Sequence, residues 1–240
     1  MVGPRYIKGD GKFYSFNIID VFSRQVYIEP QRTKQDYFVG IGLLKCWKTI
    51  GLPDYIQFDN ALSFRGSNKH PRSFSLIIKL CLYFGVVPVF IPVREPWRNG
   101  IIEKFNDTYD KSFFRREWFA NYNVLKRQSK NFQRFHNKHH RYSVLQGKTP
   151  LEVINTAGFK PTTIGANTKL PDITPVPLGN IVIIRFIRSD RMLNIFGEKF
   201  KISKTAVYSY VKAVIETDNE ILKVYLGDEL IENFNYKLKA

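Results

Sequence analysis

Two carboxylates stand where an acid could do more than cap a chain. Asp59 closes the strand-like run DYIQFDN, and Glu103 lies in the first turns of a helix-like run opened by PWRNGIIEKFND, framed by Ile101, Ile102 and Phe105. In α/β sheets, ligand sites gather where strands stop and loops begin, so a strand-end Asp and a helix-start Glu can face one sheet edge. Hard oxygen ligands of this kind suit Mg2+ or Mn2+, which keep several waters and bind substrate phosphates beside one or two carboxylates. Two such ions roughly 3.5–4 Å apart would support phosphoryl transfer. Taken singly, each acid has a plainer use. An Asp before Asn at a strand end makes a turn or a cap, and a Glu early in a helix favours the helix dipole.

The elements that must hold these acids are legible from spacing. Residues 5–30 predict a three-strand meander, RYIKG, KFYSFNIID and RQVYIEP, with a turn at Gly9-Asp10-Gly11. From Lys34 to Gly51 apolar residues recur at helical spacing and Gly51-Leu52-Pro53 stops the helix. DYIQFDN then supplies a short strand, SFSLIIKLCLYF a helix and VVPVFIP a buried strand, followed by the Glu103 helix. A basic, aromatic helix carrying Leu125, Phe132 and Phe135 is expected over Asn121–Arg141, and TPLEVINTAG ends this part. Residues 156–178, rich in proline, read as a linker, and the short runs after Gly179 as a small β-barrel. Alternating strands and helices imply a mixed sheet with helices on its faces.

The partner is expected to be a polyanion. The 240 residues carry 37 Lys+Arg against 21 Asp+Glu, a net charge of +16 with pI near 9.8, and nucleic acid is the first candidate. Cys46 and Cys81 sit in apolar helix-like runs, spaced neither for a disulfide framework nor for a zinc knuckle, which fits a reducing cytoplasm. No apolar stretch reaches membrane-spanning length and no signal-peptide pattern opens the chain.

IIDVFSR (18–24), GLPDYIQFDNALSF (51–64), PWRNGIIEKFND (96–107) and FHNKHHRYSVLQGKTPLEVI (135–154), in that order, resemble the integrase-type catalytic core of retroviral integrases and many bacterial insertion-sequence transposases, the ribonuclease-H-like DDE group. The likeness runs over about residues 1–154. It implies an α/β, ribonuclease-H-like core with a mixed five-stranded sheet over residues 1–155, the linker 156–178, and a small all-β barrel over 179–240 that binds DNA or bridges subunits. It implies that Asp59 and Glu103 are catalytic and hold Mg2+ or Mn2+. Two departures accompany it. The 43 residues between the acids exceed the compact family spacing, with the excess expected in RGSNKHPRS (65–73). The family's first Asp precedes the segment that here begins Met1-Val2-Gly3-Pro4, so the chain reads as N-terminally truncated, with impaired turnover expected.

Around the two acids, Arg94, Arg98, Lys104, Asn106, Lys111, Arg115 and Arg116 are expected to contact DNA phosphates without reading sequence. Asp20 and Asn60 are expected to support the metal ligands and not to replace them. His136, His139 and His140 lack a third well-spaced ligand, so packing or phosphate contact is favoured over zinc. Arg185, Arg188, Arg191, Lys199, Lys201 and Lys204 give the C-terminal strands a basic character, and Tyr208, Tyr210 and Phe234 are expected in the barrel core. The resulting expectation is a DNA transposase or integrase of a bacterial mobile element, cytoplasmic and nucleoid-associated, acting as a homo-oligomer on double-stranded DNA ends and target, with no membrane partner. The alternative is a truncated, non-catalytic DNA-binding or inhibitory partner of a full-length transposase.

Overall fold

A computed structural model of the chain describes residues 1–66, 70, 72–93, 95–158 and 160–239. Gly9 and Gly11, each at φ +80°, turn β1 (Val2–Ile7) back into β2 (Gly11–Ile19), a conformation that costs glycine little. β3 (Val26–Gln31) follows, and the three pair antiparallel in the order β1-β2-β3, with Ile7 opposite Gly11 and Phe16 opposite Glu29. The period of two sorts β2 into two faces. Phe13, Ser15 and Asn17 are buried on one face, and Phe16 on the other packs against α1 (Asp36–Thr49). Gly42 of α1 permits that approach, since a Cβ there would lie 2.7 Å from Gln31 Nε2 and 3.0 Å from the Phe16 ring.

The chain then gives β4 (Tyr55–Phe58), α2 (Leu62–Arg65), α3 (Leu76–Tyr83) and β5 (Val87–Phe90) before α4 (Gly100–Tyr109) and α5 (Tyr122–His139). α4 and α5 cover the Phe13 face of the first sheet. Phe105, Tyr109, Phe113, Phe119 and Leu125 form one buried cluster there with Ile7, Phe13, Val26 and Ile28. α5 also closes the outer edge of β3. The Asn137 side chain accepts from Val26 N at 2.8 Å and donates to Val26 O at 3.0 Å, while Gln133 Oε1 accepts from Ile28 N at 2.9 Å. Two amide side chains thus stand in for a neighbouring strand, which removes an open edge. α6 (Pro150–Thr156) begins with a capping box, in which Thr149 and Glu152 each bond the other's backbone N–H.

The C-terminal region is all β: β6 (Asn180–Phe186), β7 (Met192–Ile195), β8 (Glu198–Lys201), β9 (Tyr210–Glu216), β10 (Ile221–Leu226) and β11 (Glu229–Asn235). The α/β class expected from the sequence stands, and all five expected core strands form, but they are shared between two sheets. β4 and β5 are parallel, and β5 takes β6 as its next parallel neighbour, with Val89 opposite Val182 and Phe90 opposite Ile183. The result is a mixed six-stranded sheet ordered β11-β10-β9-β6-β5-β4. Four of the strands expected to close a barrel therefore lie in an open ladder, because β6 spends one edge on β5, while β7 and β8 pair separately.

Contacts accordingly divide the chain into two compact units, 1–52 with 99–169 and 53–98 with 170–240. The stretch 156–178 holds no helix or strand among its described residues beyond the end of α6. Within the first unit Leu52 N donates to Thr162 O, and Lys48 Nζ to Thr168 O. The helix that carries Glu103 stops at Tyr109 and passes into a π-helical turn, Asp110–Phe114.

Two tyrosines correct the expected barrel core. Tyr208 and Tyr210 are exposed, while Tyr236 is fully buried. Tyr208 follows a short turn at φ +59°, and Tyr210 spends its hydroxyl on Glu95. Phe234 is half-buried against Phe200, with ring centroids 5.1 Å apart.

Candidate active site and nucleic-acid interface

Asp59 immediately follows β4 and is exposed. Its Oδ1 accepts from Ala61 N at 2.9 Å, which turns the chain into α2. Asn60 faces the other way: its Nδ2 donates to Ile91 O at 2.7 Å, and its Oδ1 accepts from Arg185 Nη2 at 2.8 Å. Arg185 is buried on β6 and reaches three carbonyls, those of Ile91 and Ile184 through Nη1 and of Asn194 through Nε. Every one of these acceptors is neutral. Burial without a carboxylate, with Arg65 adding repulsion, brings the guanidinium down to about 10. Arg65 Nε holds the same turn through Asn60 O at 2.9 Å. The turn after β4 is thus fixed from beneath by two arginines, with the Asp59 carboxylate left outside.

Glu103 lies in the first turn of α4, where a negative charge suits the helix dipole. Its carboxylate is exposed and has no hydrogen bond or ion pair among the described residues. Ile102 is partly buried and Phe105 fully, whereas Ile101 is exposed, so the apolar frame holds the helix through two of its three members. One turn beyond Glu103, Asn106 Oδ1 accepts from Asn17 Nδ2 at 2.8 Å, and Asn17 Oδ1 accepts from Ser15 Oγ at 2.5 Å. This buried polar chain keys α4 to β2. Asn106, expected from the sequence at DNA phosphates, thus commits its Oδ1 to the sheet.

Several expected phosphate-binding cations already have partners. Lys111 pairs with Asp107 at 2.8 Å and Arg115 with Asp110 at 2.6 Å, and Arg5 closes on Asp110 as well. Arg98 pairs with Glu95 at 2.6 Å and lies 4.4 Å from the centre of the Tyr210 ring, whose hydroxyl donates to Glu95. That carboxylate holds the Arg98 guanidinium above its ordinary value. Lys104 and Arg116 are exposed. Arg94 lies outside the described residues, as do residues 67–69 and 71 of the loop 65–73. Asp20 shapes the turn after β2, its Oδ2 accepting from Ser23 N at 2.8 Å and Ser23 Oγ at 2.5 Å.

His136 and His140 pack, while His139 is exposed. His136 is buried, bonds the Tyr142 hydroxyl at 2.8 Å and stacks on His140 at 4.4 Å. Burial pushes His136 down to about 4.

Asp59 and Glu103 belong to different compact units. Among the described residues no three His, Cys, Asp or Glu side chains are grouped to hold a metal by themselves. Each carboxylate by itself is a hard oxygen donor of the kind that divalent ions take beside water and phosphate.

Sequence reasoning missed the inward role of Arg185. The signal was present: Arg185 falls in the same alternating phase as Ile181, Ile183 and Ile187, all fully buried. Asn17 likewise falls in phase with Phe13 and Ser15.

Residues 84–150 match a family model described as Integrase core domain. The segment is integrase-core-like. It contains Glu103, α4 and α5, and Asp59 precedes it. A comparison with solved structures finds the HTLV-2 integrase catalytic core domain in complex with magnesium, in its dimeric form, at 16% identity and a TM-score of 0.46, covering 62% of this chain and 88% of that one. It also finds the simian T-cell lymphotropic virus intasome in complex with the PP2A regulatory subunit B56 gamma, at 15% identity and a TM-score of 0.49, covering 98% of this chain and 73% of that one. No curated protein gives a significant match.

Proposed function

We propose that the chain is a DNA integrase or transposase of the DDE type, from a mobile element, catalysing metal-dependent phosphoryl transfer on double-stranded DNA. The observation that carries this reading is the integrase-core match over residues 84–150, with Glu103 inside it as an exposed carboxylate that has no partner among the described residues, on a helix pinned to β2. In this reading Asp59 and Glu103 are the metal ligands, and Mg2+ or Mn2+ supplies charge neutralisation and an activated oxygen nucleophile. Arg65 and Arg185 fix the turn that carries Asp59. Asn17 and Asn106 fix the helix that carries Glu103. Lys104, next to that acid in α4, and Arg116, both exposed, steer phosphates toward it. Because an integration reaction joins two DNA ends to one target, the working form is proposed to contain more than one copy.

A second reading is favoured by one observation: no third acid joins either carboxylate among the described residues. A protein with two acids that binds DNA without turnover, as a non-catalytic partner, would look the same. End cleavage and strand transfer with Mn2+ separate the two. Product formed by the chain and reduced at least about 100-fold in both Asp59→Asn and Glu103→Gln, with DNA affinity retained, is the expected result. Product that survives Glu103→Gln overturns the assignment of the acids. DNA binding with no product in any form selects the second reading, and absence of DNA binding rejects both.

A further inference from the structure

The cations of α5 stand together on one helix that contains no acid. Arg5, Arg32 and Lys45 each hold a carboxylate, whereas Lys126, Arg127, Lys130, Arg134 and Lys138 are exposed and, among the described residues, stand beyond ion-pair distance of any. The sequence offers them none nearby, since Trp118 to Leu151 contains neither Asp nor Glu. Lys126, Lys130, Arg134 and Lys138 follow one another at i+4, with Arg127 beside the first. Like charges at that spacing repel along a helix. The helix keeps this repulsion because its other ridges are committed: Leu125 and His136 are buried, and Gln133 and Asn137 are bonded to β3.

The row beside the cations carries exposed Phe135, whose ring lies 5.0 Å from that of His139. The outward face therefore carries a gently winding row of positive charge that rises about 18 Å along the helix axis from Lys126 to Lys138, flanked by an aromatic and hydrogen-bonding row. Phe135 is the one large apolar group exposed on α5, too little to anchor the helix in a lipid surface. A second copy of the same face would meet it with like charge. The chemistry that matches it is a regularly spaced polyanion.

We propose that the outward face of α5 is a sequence-independent contact for the DNA backbone, separate from the Glu103 helix and resting on the DNA reading above. Lys126, Lys130, Arg134 and Lys138 would neutralise successive phosphates and release their counterions, and Phe135 with His139 would lie against sugar or base.

The test is fluorescence anisotropy of the full chain on a labelled random-sequence duplex, with affinity followed against salt. The probe variant is Lys126→Gln/Lys130→Gln/Arg134→Gln/Lys138→Gln. The control, equal in charge, is Lys8→Gln/Lys12→Gln/Lys160→Gln/Lys169→Gln, all exposed. Each phosphate that is no longer neutralised should reduce the slope of log affinity on log salt by about 0.9. The α5 quartet is expected to lower the slope by at least about 2 and the affinity at least about tenfold, and the control to change neither by half as much. The thermal midpoint of the α5 quartet should be unchanged or raised, because neutralisation relieves the repulsion. Equal effects of the two quartets, or an unchanged slope in the α5 quartet while the parent chain binds duplex, would overturn the proposal and leave the function standing. A parent chain that fails to bind duplex removes the DNA reading itself. Tighter binding to phosphatidylserine vesicles than to duplex, abolished in the α5 quartet, would assign the face to a membrane instead.

Discussion

Arg185 carries a positive charge into the interior of a sheet and meets only neutral oxygens there. The arrangement holds because a guanidinium presents five N–H donors in a fixed plane, enough to serve three carbonyls and the Asn60 amide together. Removing the charge by Arg185→Met relieves the cost of burying it, yet strands those acceptors without donors. The second effect is the larger, since each orphaned buried acceptor costs on the order of 1–3 kcal/mol. Urea unfolding is expected to show Arg185→Met destabilised by about 2–4 kcal/mol, with Arg185→Lys in between because an ammonium cannot fork. Both variants falling within about 0.5 kcal/mol of the parent would refute the clamp. The placement of Asp59 at a strand end and of Glu103 at a helix start was legible in sequence. The residue beneath Asp59 was obscured by its type: an Arg in a basic chain reads as surface, and only the inward phase of NIVIIRFI argues otherwise.

At the scale of elements, the meander was legible because Gly9 and Gly11 mark its turn and KFYSFNII alternates. α1, α3 and α5 were legible from their spacing. What alternation cannot report is which strand lies alongside, since a period of two assigns faces and not neighbours. The choice of β6 by β5, and of side-chain amides by β3, therefore lay out of reach of the sequence, the latter pairing residues 105 and 111 positions apart. That second choice has a measurable weight. Asn137→Leu keeps the bulk of the side chain but leaves Val26 N–H and C=O unpaired inside the fold, an expected loss of about 2–4 kcal/mol. Amide exchange at Val26 should accelerate more than at Phe16, which pairs within the sheet. Equal acceleration at both positions would show that Asn137 acts through packing alone.

For the molecule as a whole, charge and pH act in one direction. At +16 the folded chain repels itself, and acid adds to that. His136 contributes separately. Its value in the folded chain, about 4, lies below the ordinary 6.5, so folding favours the neutral ring. The unfolded chain then binds the extra proton between those values, and stability falls as pH falls through them. The contribution is complete above about pH 6.5 and gone toward pH 4, to a total of as much as about 3 kcal/mol. His136→Gln cannot titrate, so unfolding free energies measured at pH 7 and pH 4.5 should differ less in the variant than in the parent. An identical difference in both would remove His136 from the acid transition.

The clamp on Asn60 comes from 125 residues further along the chain. A ribosome delivers the FDN turn early and Arg185 late, and β5 waits equally long for β6. Until residue 185 has emerged, the turn bearing Asp59 lacks one of its two arginine supports and its strand pair has an open flank. Maturation of this acid thus waits on synthesis of the strand that carries Arg185, and a nascent chain stalled before residue 185 carries the carboxylate without the scaffold that sets it.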